Sequence, residues 1–396
     1  MHVATVLSRW FGDKKVIAHR ARELAVARTV QALLIGQRLS LTHLGRSRQG
    51  RAHPKHHIKA VDRLLANPHL RAETPFVYRE IASKLLDGVE QPVIVVDWSD
   101  FGLGREWLML KAAVPVGGRA ICIYQRVFPF ARYNSPDAHR EFLEELKVVV
   151  PSSCRPVIVT DAGFRGPWFR AVEANGWDWV GRIRNRIKYF NRKTGRWRYT
   201  DSLYPEATPV VRYLGRIALS RRHGYEFNLY LVRAHKVRRG RPPYRGPKDN
   251  NTTLYRYLHK APWLLATSLP DGLRMGERVK ALYAKRMQIE EAFRDLKCHR
   301  WGLGLRYALS HSAARLEVLL LIGALATLVH WISGLFAIET GQSRTFQANT
   351  ERRRRVLSIV FLGQQILRTL QQPPPIHIIA NGLRSLRSMI ARASFV

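Results

Sequence analysis

Followed along the chain, the spacing of apolar positions changes character three times. Over residues 1–90 it is helical. Residues 18–34 carry an apolar rhythm with arginines on the other face, and Ser40-Leu-Thr-His-Leu-Gly45 opens on an N-cap candidate and stops at a glycine. After a basic stretch, residues 46–59, the positions Ile58, Val61, Leu64 and Leu65 again recur at helical spacing. From Gln91 the pattern is that of strands. Pro92-Val-Ile-Val-Val-Asp97 and Pro156-Val-Ile-Val-Thr-Asp161 are short continuous apolar runs that each end in a carboxylate, as fully buried central strands do. Residues 107–114 and 120–128 predict two strands around a Gly117-Gly118 turn. Residues 136–149 predict a helix through Phe142, Leu143 and Leu146, and residues 177–183 a further strand. Strand-like pieces follow at 197–200, 209–214 and 225–232, and residues 262–269 return to core strand character. Beyond them the chain reads as helical to its end, punctuated at Gly341 and at Pro373-Pro374-Pro375. The fold class expected is α/β with a mixed sheet.

Composition narrows the partners. The 396 residues hold 66 Lys+Arg against 29 Asp+Glu, a formal charge of +37, with 46% hydrophobic and 10% aromatic content. Such a chain is globular, which excludes a disordered basic tail, and its charge points to a polyanion, nucleic acid first and an anionic membrane surface second. The charge is unevenly spread. Residues 1–90 carry 16 Lys+Arg and 7 Asp+Glu, and are read as a helix-turn-helix-like DNA-binding region or a solvated helical bundle. Residues 182–248 carry 19 and 3, and are read as a β-rich insertion lying along a phosphate backbone, with Arg238, Arg239 and Arg241 as candidate contacts. Cys122, Cys154 and Cys298 form no CxxC pair, so neither a disulfide framework nor a zinc ribbon is expected, and a reducing cytoplasm fits. Residues 318–338 lack Asp, Glu, Lys and Arg and could span a bilayer by length. His330, Ser333, Gly323 and Gly334 within them, and the absence of a second such segment, favour a buried core helix. Met1–Trp10 has no apolar core of a secretory signal. The expectation is a cytoplasmic, nucleoid-associated protein with no membrane partner.

Two strand-end carboxylates are informative, because a buried carboxylate is costly unless it is paired or binds a metal. Either Asp could merely cap a following helix. A third carboxylate lies on a helix expected over residues 277–300. At about 100° per residue, Tyr283, Arg286, Glu290 and Lys297 share one face of it, beside an apolar stripe of Leu282, Ile289, Phe293 and Leu296. The bland alternative is a solvated face with an Arg286–Glu290 pair.

Together these residues form a pattern. Tyr283-x2-Arg286-x3-Glu290-x6-Lys297 resembles the YREK signature of DDE transposases of insertion-sequence family four. Val96-Asp-Trp-Ser-Asp100, the Thr-Asp-Ala-Gly-Phe around Asp161 and Arg286-Met-Gln-Ile-Glu-Glu291 resemble the group of insertion sequence ten. The resemblance implies an RNase H-like core over residues 91–185 and 261–345, interrupted by the β-rich insertion at 186–260. An N-terminal helical DNA-binding region, 1–90, and a C-terminal helical region, 346–396, flank it. It implies Asp97, Asp161 and Glu290 as a catalytic triad holding two Mg²⁺ ions, with Mn²⁺ able to substitute. Tyr283, Arg286 and Lys297 would meet DNA, and Trp263 matches a position whose Trp helps extrude a base in a related transposase. Met287 departs from the pattern, since that relative has a second stacking Trp there. The implied activity is cut-and-paste transposition on terminal inverted repeats and target DNA, by nicking, hairpin formation and resolution, and strand transfer, in a homodimer on paired ends. A nuclease without strand transfer and a non-catalytic DNA-binding regulator are the alternatives. The helix with Ile378, Leu383, Leu386, Met389 and Ile390 is the candidate protein–protein contact, unless it simply closes the catalytic domain. His53, His56 and His57 are too irregular for a zinc site and read as a basic DNA-facing loop. Glu351-Arg-Arg-Arg-Arg355 is either a solvated run or a phosphate contact.

Overall fold

A computed structural model describes residues 6–7, 10–11, 16–101, 106–184, 187–221, 224–233, 261–348, 350–351, 353–369 and 376–394. Arg238, Arg239 and Arg241 lie outside the described residues. The chain divides into two compact units, one of residues 1–156 with 286–395 and one of residues 157–285.

The first unit is built on an antiparallel sheet in the order β3-β2-β1, with β1 Val93–Asp100, β2 Trp107–Val116 and β3 Arg119–Pro129. The Gly117-Gly118 turn between β2 and β3 has both glycines at positive φ, the backbone a two-residue hairpin demands. Helices pack around this sheet: α1 Arg20–Gly36, α2 Leu41–Arg46, α3 Pro54–Leu65, α4 Pro68–Leu86 and α5 Pro136–Val149, the last capped where Ser135 Oγ accepts the Ala138 N–H. Further along the chain come α8 Met287–Lys297, α9 Ala313–Glu339, α10 Ile359–Thr369 and α11 Ile376–Ser394. Helix α9 contains the uncharged stretch, and 89% of its most apolar window is buried within the chain, so it is a core helix. It packs against α1, α4, β3 and α10, and the ion pairs Arg315–Asp62 (2.5 Å) and Arg71–Glu317 (3.0 Å) tie it to α3 and α4. Helices α9 and α10 cross backbone to backbone: a Cβ on Gly334 would collide with the Ile359 carbonyl, and one on Gly363 with that of His330. Leu386 and Ile390 of α11 are fully buried, and the helix packs on α4, α9 and β2. Leu386 and Ile390, part of the apolar face expected to meet another protein, are thus spent within this unit.

The second unit carries a sheet in the order β4-β5-β10-β9-β8-β6-β7. Strands β4 Val157–Thr160 and β5 Asp178–Ile183 are parallel and joined through α6 Gly166–Ala174. Strand β10 Trp263–Thr267 runs antiparallel between β5 and β9 Tyr225–Val232. Strands β8 Arg212–Leu219, β6 Lys188–Asn191 and β7 Arg196–Tyr199 continue the sheet, so the basic β-rich segment extends it. Strand β8 starts later than the apolar pattern suggested and runs to Leu219; Pro209, which has no N–H for a ladder, stays outside it. Stacked rings of Phe169 and Trp179, centroids 3.9 Å apart, with Phe227 edge-on to both, fill the space beneath α6.

One expected helix is two. Residues 277–300 divide into α7 Met275–Ala284 in the second unit and α8 in the first. At the break the Lys285 N–H reaches the Leu282 carbonyl (3.2 Å) and the Ile289 N–H the Arg286 carbonyl (3.1 Å), the tighter i→i+3 pattern.

Candidate active site

In the first unit, Asp97 sits where β1 passes from the buried run Val93–Val96 to the half-buried Asp97–Asp100. Its Oδ1 accepts the Trp98 N–H (2.8 Å), and its Oδ2 lies 3.4 Å from Arg286 Nη1. Arg286 stands at the N-cap of α8, which Ile289, Phe293 and Leu296 fasten to β1–β3. Its Nη2 is 2.6 Å from Glu290 Oε1, one turn on. A strand carboxylate and a helix carboxylate thus share one guanidinium, whose side chain is 14% exposed while that of Glu290 is 44% exposed. Lys297, at the other end of α8, reaches Asp100 Oδ1 at 3.2 Å. Burial pushes its pKa down, and Asp100 opposes that shift.

Behind this group the interior is unusually polar. Lys111, directly across the ladder from Asp97, is buried with its ammonium 5.0 Å from the Phe293 ring centroid, and burial lowers its pKa. The Trp98 indole N–H donates to His139 Nε2 (3.2 Å), and burial holds that imidazole down to about 4. Neither residue was singled out in the sequence. Lys111 is the one charged residue inside the apolar run of β2, which was the available signal.

In the second unit, Asp161 follows β4 and its Oδ1 accepts the Gly163 N–H (2.7 Å), fixing the turn after the strand. Burial lowers the Arg184 pKa, while Tyr283, Tyr204 and Asp161 oppose that shift, so this half-buried guanidinium belongs to the surroundings of Asp161. Tyr283 is buried, its ring edge-on to Trp263 at 4.9 Å. It does not share a helix face with Arg286, Glu290 and Lys297, because the chain breaks at Lys285 and Tyr283 belongs to α7.

Residues 89–328 match the family described as the transposase DDE domain. The chain belongs to this family. No curated protein matches it. As a DDE transposase it is an enzyme of metal-dependent phosphodiester chemistry with DNA as its substrate, and the mixed α/β architecture accords with an RNase H-like DDE domain.

Among the described residues no group of three or more Asp, Glu, His and Cys side chains is close enough to hold a metal. What the transposase brings together in its first unit is a pair, Asp97 and Glu290, aimed at one cationic group. Hard carboxylate oxygens with a negative surplus are the donor chemistry that suits Mg²⁺, and the Arg286 guanidinium marks where a cation is already accommodated. Met287, expected to differ from a stacking Trp, is exposed, and its Sδ lies 3.3 Å from Arg286 Nη2.

Proposed function

We propose that this transposase cuts and pastes a bacterial insertion sequence of family four, near the group of insertion sequence ten, with Asp97, Asp161 and Glu290 as the ligands of two Mg²⁺ ions. The observation that carries the proposal is the convergence of Asp97 and Glu290 on Arg286. When bound, the ions supply activation of the attacking oxygen and charge stabilisation at the leaving one. With the carboxylates engaged elsewhere, the Arg286 fork turns to the scissile phosphate, for which planar paired donors are suited. Lys297, steadied by Asp100, offers a point charge to a second phosphate oxygen. Tyr283 positions Trp263, whose indole supports the opened strand during hairpin formation.

The helical region 1–90 and the basic segment 186–260, with Arg238, Arg239 and Arg241, hold the phosphate backbone of the inverted repeats. Two chains pair on two ends in the cytoplasm, and DNA is needed for the pairing because +37 on each chain opposes association. The test is incubation with duplexes carrying the element's own ends and Mg²⁺. Nicked, hairpinned and excised ends followed by joining to target DNA are expected. Cleavage without any joining would replace the proposal with the nuclease alternative.

A further inference from the structure

A cavity of about 600 Å³ lies within the first unit, between the C-terminal end of α8, the middle of α9 and the chain entering α10. That volume falls in the range of about 300–1,000 Å³ typical of small-ligand pockets. None of Asp97, Glu290 and Lys297 lines it. Trp301 stands at its rim, 69% exposed, with its indole edge-on to Phe361 at 6.5 Å. Three cations and the carboxylate of Asp295 border it. Arg119 is paired with Asp295 and Arg294 with Glu291, whereas Arg355 has no carboxylate partner among the described residues. Buried within the lining are two polar side chains, His330 (3% exposed) and Gln364 (6%), neither hydrogen-bonded to another described residue. Burial holds the His330 imidazole down to about 4, so at neutral pH it offers one donor and one acceptor. The glycine-mediated crossing of α9 and α10 fixes both residues there, since Gly363 precedes Gln364 and meets the His330 carbonyl.

The His330 and Gln364 side chains line the cavity with hydrogen-bonding capacity that no described residue takes up, and a ligand can take it up. A purely apolar ligand would leave both unpaired, and inorganic phosphate would make no use of the exposed indole or the depth. A nucleotide uses every part: its base stacks on Trp301, its edge meets Gln364 and His330, and its phosphate meets Arg355. We infer that this cavity is a second nucleic-acid site that takes one unstacked nucleotide, base inward and phosphate at Arg355. The inference rests on the DNA-binding part of the proposed function and on none of its catalytic assignments. It also gives the arginine run at 352–355, left open between solvent and phosphate, a definite contact at its last member.

The test uses the full chain in EDTA with two fluorescent 20-mer DNA duplexes, one fully paired and one carrying a single bulged 2-aminopurine. The wild-type chain should prefer the bulged duplex by about tenfold, the scale of one base–aromatic stack, and should quench the 2-aminopurine. Trp301→Ala should abolish both effects, and Gln364→Leu should reduce the preference several-fold. Arg353→Ala, on an exposed residue outside the cavity, should leave the ratio unchanged. Free dAMP separates the sources of the ligand: restored fluorescence with millimolar dAMP means a lone nucleotide suffices, and persistent quenching means the nucleotide must be part of a strand. Equal affinity for the two duplexes, or a preference surviving both Trp301→Ala and Gln364→Leu, overturns the inference. Cleavage with Mg²⁺ is measured separately. A lost preference beside intact cleavage removes the cavity alone, and lost cleavage beside an intact preference removes the triad alone.

Discussion

Arg286, at the start of α8, faces two carboxylates, Asp97 and Glu290, whereas farther along that helix Arg294 and the β3 residue Arg119 share two between them, Glu291 and Asp295. The first cluster has a surplus of negative charge, and its helix carboxylate is largely open to solvent. The second is balanced: Arg119 Nε lies 2.7 Å from Asp295 Oδ2, and burial raises the Asp295 pKa while Arg119 opposes that rise. The balanced cluster already has its counter-charges and fixes the hairpin turn of β2–β3 to α8. The acid-rich cluster has one arginine for two carboxylates and an exposed Glu290, so it can take up a further cation. The same helix thus separates a holding group from a group that calls for a ligand.

The largest effect should come from emptying the acid-rich cluster. Asp97→Asn and Glu290→Gln, and Asp161→Asn in the second unit, should each lower Mg²⁺-dependent nicking by at least about a thousandfold, since metal-borne charge stabilisation contributes several kcal/mol. Gel shifts with end DNA should change little. Nicking at the wild-type rate by any one of them breaks the assignment of that residue.

Much of this cluster was legible beforehand, for a physical reason. A carboxylate ending a continuous apolar run stands out, so Asp97 was visible, as was Asp161 at its own strand end in the second unit, and Ile289, Phe293 and Leu296 marked the face that seats α8. The bounds of α5 were also readable, from Ser135, Pro136 and its apolar spacing. The break at Lys285–Arg286 was not, because no Gly or Pro announces it and the change is a local tightening of hydrogen bonds. Helix α4 was obscured by Pro75 in its interior, where the missing N–H leaves the helix ladder short of one bond. The balanced cluster joins Arg119 to Asp295 across 176 positions, which no local periodicity reports. Nor could periodicity say whether α11 would turn its apolar face inward, since an amphipathic helix reads the same in either setting.

Acid should strike both clusters from behind. His139 supports Trp98 beside Asp97, and His330 lines the cavity beside Asp295; both have folded pKa values of about 4 against an ordinary 6.5. The unfolded chain therefore binds protons that the folded chain refuses. The stability concerned is present above about pH 6.5 and is lost as pH falls toward about 4, by up to ~3 kcal/mol for each histidine. Urea unfolding followed from pH 7 to pH 4 should show this slope, and His139→Gln or His330→Leu should each remove part of it. A slope unchanged in both variants would mean other groups govern acid sensitivity.

A smaller loss is expected from opening the balanced cluster. Arg119→Leu leaves Asp295 in a half-buried site without its closest partner and should cost about 2 kcal/mol, below the range for fully buried pairs because both side chains keep some water contact. The urea midpoint reads this directly. Nicking per folded molecule should stay within about threefold of wild type; a thousandfold loss there, with folding intact, would erase the distinction between the two clusters.

The smallest effect makes the sharpest comparison, because it involves adjacent residues. Glu290 and Glu291 are adjacent glutamates near the start of α8, yet a step of about 100° turns one toward Arg286 and the other toward Arg119 and Arg294. Glu291 is one-third exposed, its Arg119 contact is long at 3.6 Å, and Arg119 keeps Asp295 when Glu291 is neutralised. Glu291→Gln should therefore cost no more than about 1 kcal/mol in urea unfolding and leave nicking essentially intact. Its neighbour Glu290→Gln, identical in chemistry and one position away, should abolish nicking with little change in stability. If the two variants lose activity to the same degree, helix geometry is not what selects the catalytic carboxylate; if stability falls more for Glu290→Gln, the acid-rich cluster is structural after all.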